Sequence, residues 1–166
     1  MDEKRKIIFV TVSMGGGGTE RVISILANYY ASVGDSVTIL LIADNRVEYE
    51  LDEQIEVKTI AGVTNGKLNS RCERIINLRR SICEKKKANV IAMGTVAAMF
   101  TLLSTIGLSV NVVISERNDP ERLNHKPISK RAKLLRNFLY RKAKAIVLQT
   151  EDVKKCFPKF LVKKVG

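Results

Sequence analysis

Short apolar runs dense in β-branched residues alternate with longer stretches of helical periodicity along this chain, and no other feature restricts its fold as much. Lys6 to Ser13 (KIIFVTVS) and Ser36 to Ala43 (SVTILLIA) are almost continuously apolar, as strands covered on both faces must be. Asn89 to Met93, Val110 to Ser115 and Ala145 to Gln149 share that character, while Ile55 to Ile60 alternates like a partly exposed strand. Helical patterns lie between them. One runs from Thr19, a candidate N-cap, with Val22, Ile23, Leu26, Tyr29, Tyr30 and Val33 on its inner face, and stops at Gly34. Arg71 to Lys87 places Ile75, Ile76, Leu78, Ile82 and Cys83 inward. Val96 to Ile106 is apolar and ends at Gly107, and Ser129 to Lys142 places Leu134, Leu135, Phe138 and Leu139 inward. Asp44–Gln54 and Ala61–Asn69 read as loops, and Thr150 opens a short helix. Strands joined by helices predict an α/β fold, a Rossmann-like doubly wound parallel sheet with helices on both faces.

The chain has 166 residues, 45% of them hydrophobic, which suits one domain over 1–166. No apolar run reaches the roughly 18–20 residues that span a bilayer. The apolar run Ile7–Val12 is short and meets glycines, so it reads as a first strand and not as a secretory signal. Cys72, Cys83 and Cys156 lack metal-ligand spacing and read as buried thiols of a reducing, cytoplasmic compartment. The net charge of +12 is uneven: residues 1–66 carry 6 Lys/Arg against 10 Asp/Glu, and residues 67–166 carry 23 against 7. From Arg122 to Lys144 there are nine Lys/Arg and no acid. Such asymmetry points to an anionic partner, whether nucleic acid, a phosphorylated ligand or a membrane surface, against the plain reading of a solvated face.

In an open parallel sheet, ligands bind beyond the carboxyl ends of the strands. The loops to inspect are therefore Met14–Glu20, Ala43–Arg46, Gly94–Thr95, Glu116–Pro120 and Gln149–Asp152. The tetraglycine Gly15, Gly16, Gly17 and Gly18 allows backbone to approach a ligand closely, and the helix at Thr19 and Glu20 adds its positive end. No lysine follows these glycines, so the GxxxxGK[ST] phosphate loop is absent. The dinucleotide pattern GxGxxG also fails, because its third glycine would fall on Glu20 or Arg21. Asp44 nevertheless stands near where a ribose-binding acid would, which keeps a nicotinamide or nucleotide-binding domain as one alternative. A basic nucleic-acid-binding module is the other, although aromatics are only 5% and no stacking platform is evident.

Three segments carry a resemblance. Ile7–Val22 (IIFVTVSMGGGGTERV) resembles the opening strand, glycine loop and helix of bacterial family 4 glycosyltransferases. Val112–Pro120 (VVISERNDP) is similar to their later strand and loop, and Leu139–Thr150 (LYRKAKAIVLQT) to their following helix and strand. The three occur in the family's order over nearly the whole chain. The resemblance implies one half of a GT-B fold, the amino-terminal, acceptor-side domain of a retaining glycosyltransferase. Such an enzyme moves a hexosyl group from a nucleotide-sugar to a saccharide or lipid-linked acceptor in cell-surface polysaccharide synthesis, and generally without a metal. It implies a second Rossmann-like domain that binds the donor and is absent here, so that this fragment alone is expected to be inactive. Glu48 and Glu56 match that domain's Glu-x7-Glu spacing but lie in the wrong region, and the match is read as chance. The implied substrate-binding residues are Gly15–Gly18, Thr19 and Glu20, facing the donor phosphates and sugar, together with Gly94, Thr95, Glu116, Arg117, Asn118 and Asp119. Relatives often carry histidine where Arg117 stands, so a forked cation replaces an imidazole. The single histidine, His125, reads as solvent-facing. No cofactor is implied beyond the nucleotide-sugar substrate. Relatives that act on lipid-linked acceptors also give the cationic helix a role, with Lys130, Lys133, Arg136 and Arg141 facing an anionic membrane.

Overall fold

The computed structural model describes residues 4–60, 67–117, 122–123 and 126–162. β1 (Lys6–Thr11), α1 (Gly18–Ser32), β2 (Ser36–Leu41) and β3 (Glu56–Thr59) come first. α2 (Lys67–Glu84), β4 (Asn89–Met93), α3 (Thr95–Ser104) and β5 (Asn111–Glu116) follow. A short antiparallel pair, β6 (Arg122–Leu123) and β7 (Lys126–Pro127), precedes α4 (Lys130–Tyr140), β8 (Ala145–Leu148), α5 (Glu151–Lys155) and α6 (Lys159–Val162). β6, β7 and α6 are not indicated by the sequence pattern.

Six strands form one sheet in the order β3-β2-β1-β4-β5-β8, all parallel. The order reverses at β1, so the crevice between the carboxyl ends of β1 and β4 is the topological switch point. Side chains alternate along β1. Ile7 and Phe9 pack with Ile23, Ala27 and Ala31 of α1, while Ile8 and Val10 pack with Leu78 and Ile82 of α2 and Ala97, Ala98 and Leu102 of α3. Burial on both faces explains the uninterrupted apolar run. The doubly wound α/β architecture is therefore as expected, and β3 is the exposed edge that its alternation indicated.

Several side chains face the other way from their predicted orientation. Tyr29, Val33 and Ile76 are exposed; on α1 the predicted Ile23 is buried and Val22, Leu26 and Tyr30 pack against the core as expected, joined by the buried Ser24, Ala27 and Ala31. The thiols of Cys72 and Cys83 are exposed and that of Cys156 is half-buried, not buried as expected. The largest departure is in α4. Leu134, Leu135 and Phe138 are exposed, with Leu134 at 75%, whereas Arg136 is 0% exposed and packs inward beside Leu139 and Tyr140. Arg136 is thus withdrawn from the expected membrane-facing set.

Candidate functional site at the carboxyl edge

The tetraglycine follows β1 as predicted, but α1 begins at Gly18 with Gly17 as its N-cap, two residues earlier than a Thr19 cap would give. No side chain caps this end, so the amides of the first turn point to the open edge of the sheet. Thr19 and Glu20 lie in that first turn. None of Gly15–Gly18 has a positive φ; what they provide is room. A Cβ built on Gly16 would lie 2.6 Å from Oε2 of Glu48, and one on Gly17 would overlap Oε2 of Glu20. Two carboxylates therefore rest against the glycine backbone.

The first of these, Glu48, comes from the segment Asp44–Gln54, which its polar composition marks as loop. Met14 and Val47 form a parallel bridge: the Met14 amide donates to the Arg46 carbonyl at 3.2 Å, and the Glu48 amide donates to the Met14 carbonyl at 3.0 Å. Tyr49 donates its hydroxyl to the Gly17 carbonyl at 2.8 Å. Glu48 and Tyr49 are thus members of the loop site. Their signal was the apolar alternation Val47, Tyr49, Leu51, of which Tyr49 and Leu51 pack against the α1 core. Asp44 is held by its neighbour Arg46 through Nη2 and Nε, which keep its carboxyl below the usual range.

Across the crevice, Gly94 closes β4 and opens α3. Its φ of 83° and ψ of 162° fall where only glycine sits without strain. The next residue, Thr95, is buried and donates its hydroxyl to Oε1 of Glu116 at 2.6 Å. The other oxygen of Glu116 accepts from the Tyr140 hydroxyl at 2.5 Å. One buried carboxyl thereby joins the end of β5, the start of α3 and the inner face of α4. Burial pushes its pKa up, against the opposing influence of Thr95, Tyr140 and the buried Arg136 guanidinium. Burial and the adjacent Glu116 charge likewise push the Tyr140 phenol well above its ordinary value. The Arg136 guanidinium lies 4.7 Å from the centre of the Phe157 ring and 6.0 Å from that of Tyr140. Glu116 was expected to line the acceptor pocket; at 1% exposure it is instead a buried tie between β5, α3 and α4.

Arg117 follows it at the rim. With the Gln149 amide oriented to satisfy both groups, Gln149 donates to the Arg117 carbonyl at 2.9 Å and accepts from Nη1 at 3.0 Å. The buried Nε of Arg117 has no hydrogen-bond partner among the described residues. Such an orphan donor marks a place for a ligand oxygen or a water. Asn118, Asp119 and His125 lie outside the described residues. The structure therefore brings Gly15–Glu20 and Gly94–Thr95 to the two sides of one crevice, with Arg117 on the next strand.

A raised carboxyl pKa means that Glu116 holds its proton more tightly in the folded state than in the unfolded one. The associated stability is complete below the unfolded carboxylate range and is lost as pH climbs through the folded value. The thermal midpoint should accordingly decline as pH rises above that range, and Glu116→Gln should flatten the decline. An unchanged slope in the variant would assign the titration to other groups.

No family profile matches the sequence, and no curated protein matches it. Among solved structures the fold has clear counterparts. The chain superimposes on HepE of Anabaena, solved in complex with UDP and glucose, with a TM-score of 0.75 at 16% identity, over 98% of this chain and 43% of that one. For UDP-N-acetylglucosamine 2-epimerase from Rickettsia bellii the TM-score is 0.64 at 9% identity, over 98% and 44%. For TcCGT1, solved in complex with UDP, it is 0.58 at 11% identity, over 90% and 45%. The chain spans less than half the length of each of these proteins. It has the Rossmann-like α/β fold of one half of a GT-B protein.

Proposed function

We propose that this chain is the acceptor-side half of a glycosyltransferase of family 4 type that moves a hexosyl group, with retention, from a nucleotide-sugar to a saccharide or lipid-linked acceptor. Assembly of a cell-surface polysaccharide is the corresponding pathway. The observation that carries the reading is the crevice between β1 and β4, flanked by an uncapped helix end, two carboxylates and a glycine-only turn, in a fold whose counterparts include proteins solved with UDP. The carboxylates refine the roles. Glu20 and Glu48 at the glycine backbone would repel a diphosphate but accept hydrogen bonds from sugar hydroxyls. The loop is therefore assigned to the transferred sugar and acceptor, and the nucleotide diphosphate to the complementary half. Arg117 supplies a charged donor through its orphan Nε. The same geometry disfavours a dinucleotide, since the loop carries carboxylates and Asp44 is paired with Arg46.

The 166-residue chain alone should turn over no UDP-sugar, and transfer should appear when a donor-binding half is supplied. In that assembled enzyme Gly16→Val should lower transfer by roughly 100-fold, because the new side chain displaces Glu48 and covers the backbone. Its thermal midpoint should stay near wild type, since the displaced atom is the end of a flexible side chain. Robust turnover by the chain alone, wild-type transfer by the variant, or epimerisation of the UDP-sugar without transfer would each contradict the assignment.

A lipid-linked acceptor brings the enzyme to a membrane, and α4 has the surface for it. Leu134 and Phe138, one turn apart, face outward and join Leu135 and Phe160 in an open apolar groove of about 620 Å³, with Arg131 and Arg141 at its rim. Lys130 and Lys133 lie on the same helix, within the acid-free stretch from Arg122 to Lys144. Among the described residues no helix is long and apolar enough to cross a membrane. An outward apolar ridge flanked by cations instead suits a helix lying in the headgroup layer of an anionic bilayer. Binding to anionic vesicles should fall with salt, and neutral vesicles should bind weakly. Lys130→Gln with Lys133→Gln and Arg141→Gln should weaken it by up to roughly 100-fold at low salt, taking about 1 kcal/mol per charge. Leu134→Ser with Phe138→Ser should weaken it at every salt concentration. Equal co-sedimentation of all forms, or loss of self-association in place of lipid binding, would refute this role.

A further inference from the structure

We propose that the opposite, amino-terminal edge of the sheet carries a second site, for a small soluble ligand bearing two linked phosphate groups. Lys4, Arg5, Lys6, Lys86, Lys87 and Asn89 line an open basin of about 440 Å³ there. The sheet brings them together. Lys4–Lys6 lead into β1, Lys86–Asn89 lead into β4, and these strands are neighbours in the register Ile7↔Asn89. Two cationic segments distant in sequence thus enter the centre of the sheet side by side.

The charges of the basin are unequally compensated. Arg5 is neutralised by Asp35, to which Nη2 donates at 2.7 Å and Nε at 3.1 Å. The adjacent Lys85 is paired with Glu56 at 2.5 Å, and Lys58 with Glu84 at 3.3 Å. Lys4, Lys6, Lys86 and Lys87 have no acidic partner among the described residues. Four ammonium groups around one basin repel each other, and an anion of several charges relieves that repulsion.

The backbone supplies a second, independent observation. Lys87 has a φ of 61°, the one non-glycine residue with positive φ among those described. The chain leaves α1 through Gly34 and α3 through Gly107, both with positive φ, as helix ends commonly do. After α2 it places a lysine in that conformation, which glycine would adopt without strain. A strained residue kept where an unstrained one would serve indicates a task for its side chain, and this side chain lines the basin.

The occupant follows from the lining. Lysines are compact charges with rotatable donors that suit phosphate oxygens arranged around more than one centre. A single carboxylate or orthophosphate would leave several of them uncompensated. The basin lies at the far edge of the sheet from Gly15–Glu20, so its occupant does not compete for the crevice and the inference is independent of the proposed transfer reaction.

The test is calorimetric titration of the chain with inorganic pyrophosphate at constant ionic strength. Saturable one-to-one binding is expected, with orthophosphate weaker by about tenfold or more. Lys86→Gln with Lys87→Gly should weaken pyrophosphate by about tenfold or more, while Lys87→Gly by itself should not lower the thermal midpoint. Lys130→Gln with Lys142→Gln, on α4 and the turn that follows it, should leave the affinity unchanged, as should Gly16→Val. Non-saturating binding, equal affinity across all variants, or binding to phosphatidate vesicles with no response to pyrophosphate would overturn the proposal.

Discussion

The carboxyl group of Glu116 is the interaction on which the upper half of the domain depends. A buried carboxyl is costly unless its oxygens are satisfied, and both are, by hydroxyls from two different helices. Thr95 draws the start of α3 against the end of β5, and Tyr140 draws α4 against the same point. Arg136, buried one turn before Tyr140, offsets the charge while its face packs on Phe157. These demands fix the rotation of α4. With Arg136, Leu139, Tyr140 and Ala143 inward, helical geometry leaves Leu134 and Phe138 no position but the outer surface. The apolar ridge and the rigid crevice wall are two consequences of one polar contact.

The two edges of the sheet divide the chemistry. At the carboxyl edge, carboxylates and uncapped amides lie where strand order reverses, and the orphan guanidinium nitrogen of Arg117 follows the neighbouring β5, a set in keeping with the proposed sugar ligands. At the amino edge the lining is cationic and polar. The domain-wide charge of +12 therefore does not describe the crevice. Its nearest charged groups include Glu20 and Glu48, and nucleic acid would meet repulsion there.

Much of the fold was legible because strand burial writes itself directly into sequence. Phe9 and Val10 face different helices, so no polar residue fits either position, and the apolar run reveals a central strand. The glycine loop was legible for a similar reason, since four glycines in a row have few uses beyond close approach. What sequence concealed depended on contacts between distant residues. The inward turn of Arg136 places it near Glu116, twenty positions earlier, and on the ring of Phe157, twenty-one later, and a helical wheel that weighs hydropathy alone rotates α4 the wrong way. Glu48 and Tyr49 join the site through a bridge between Met14 and Val47; the alternation Val47, Tyr49, Leu51 marks an extended segment there but does not name its partner. Lys87 reads as one more surface lysine until its φ is known.

Glu116 and Tyr140 are energetically coupled through their buried hydrogen bond and together set the packing of α4. A double-mutant cycle on unfolding free energy, with Glu116→Gln, Tyr140→Phe and the pair, measures this directly. A coupling of about 1 kcal/mol or more is expected, as for contacting residues within one buried network. Additivity within about 0.5 kcal/mol, the behaviour of independent sites, would contradict it.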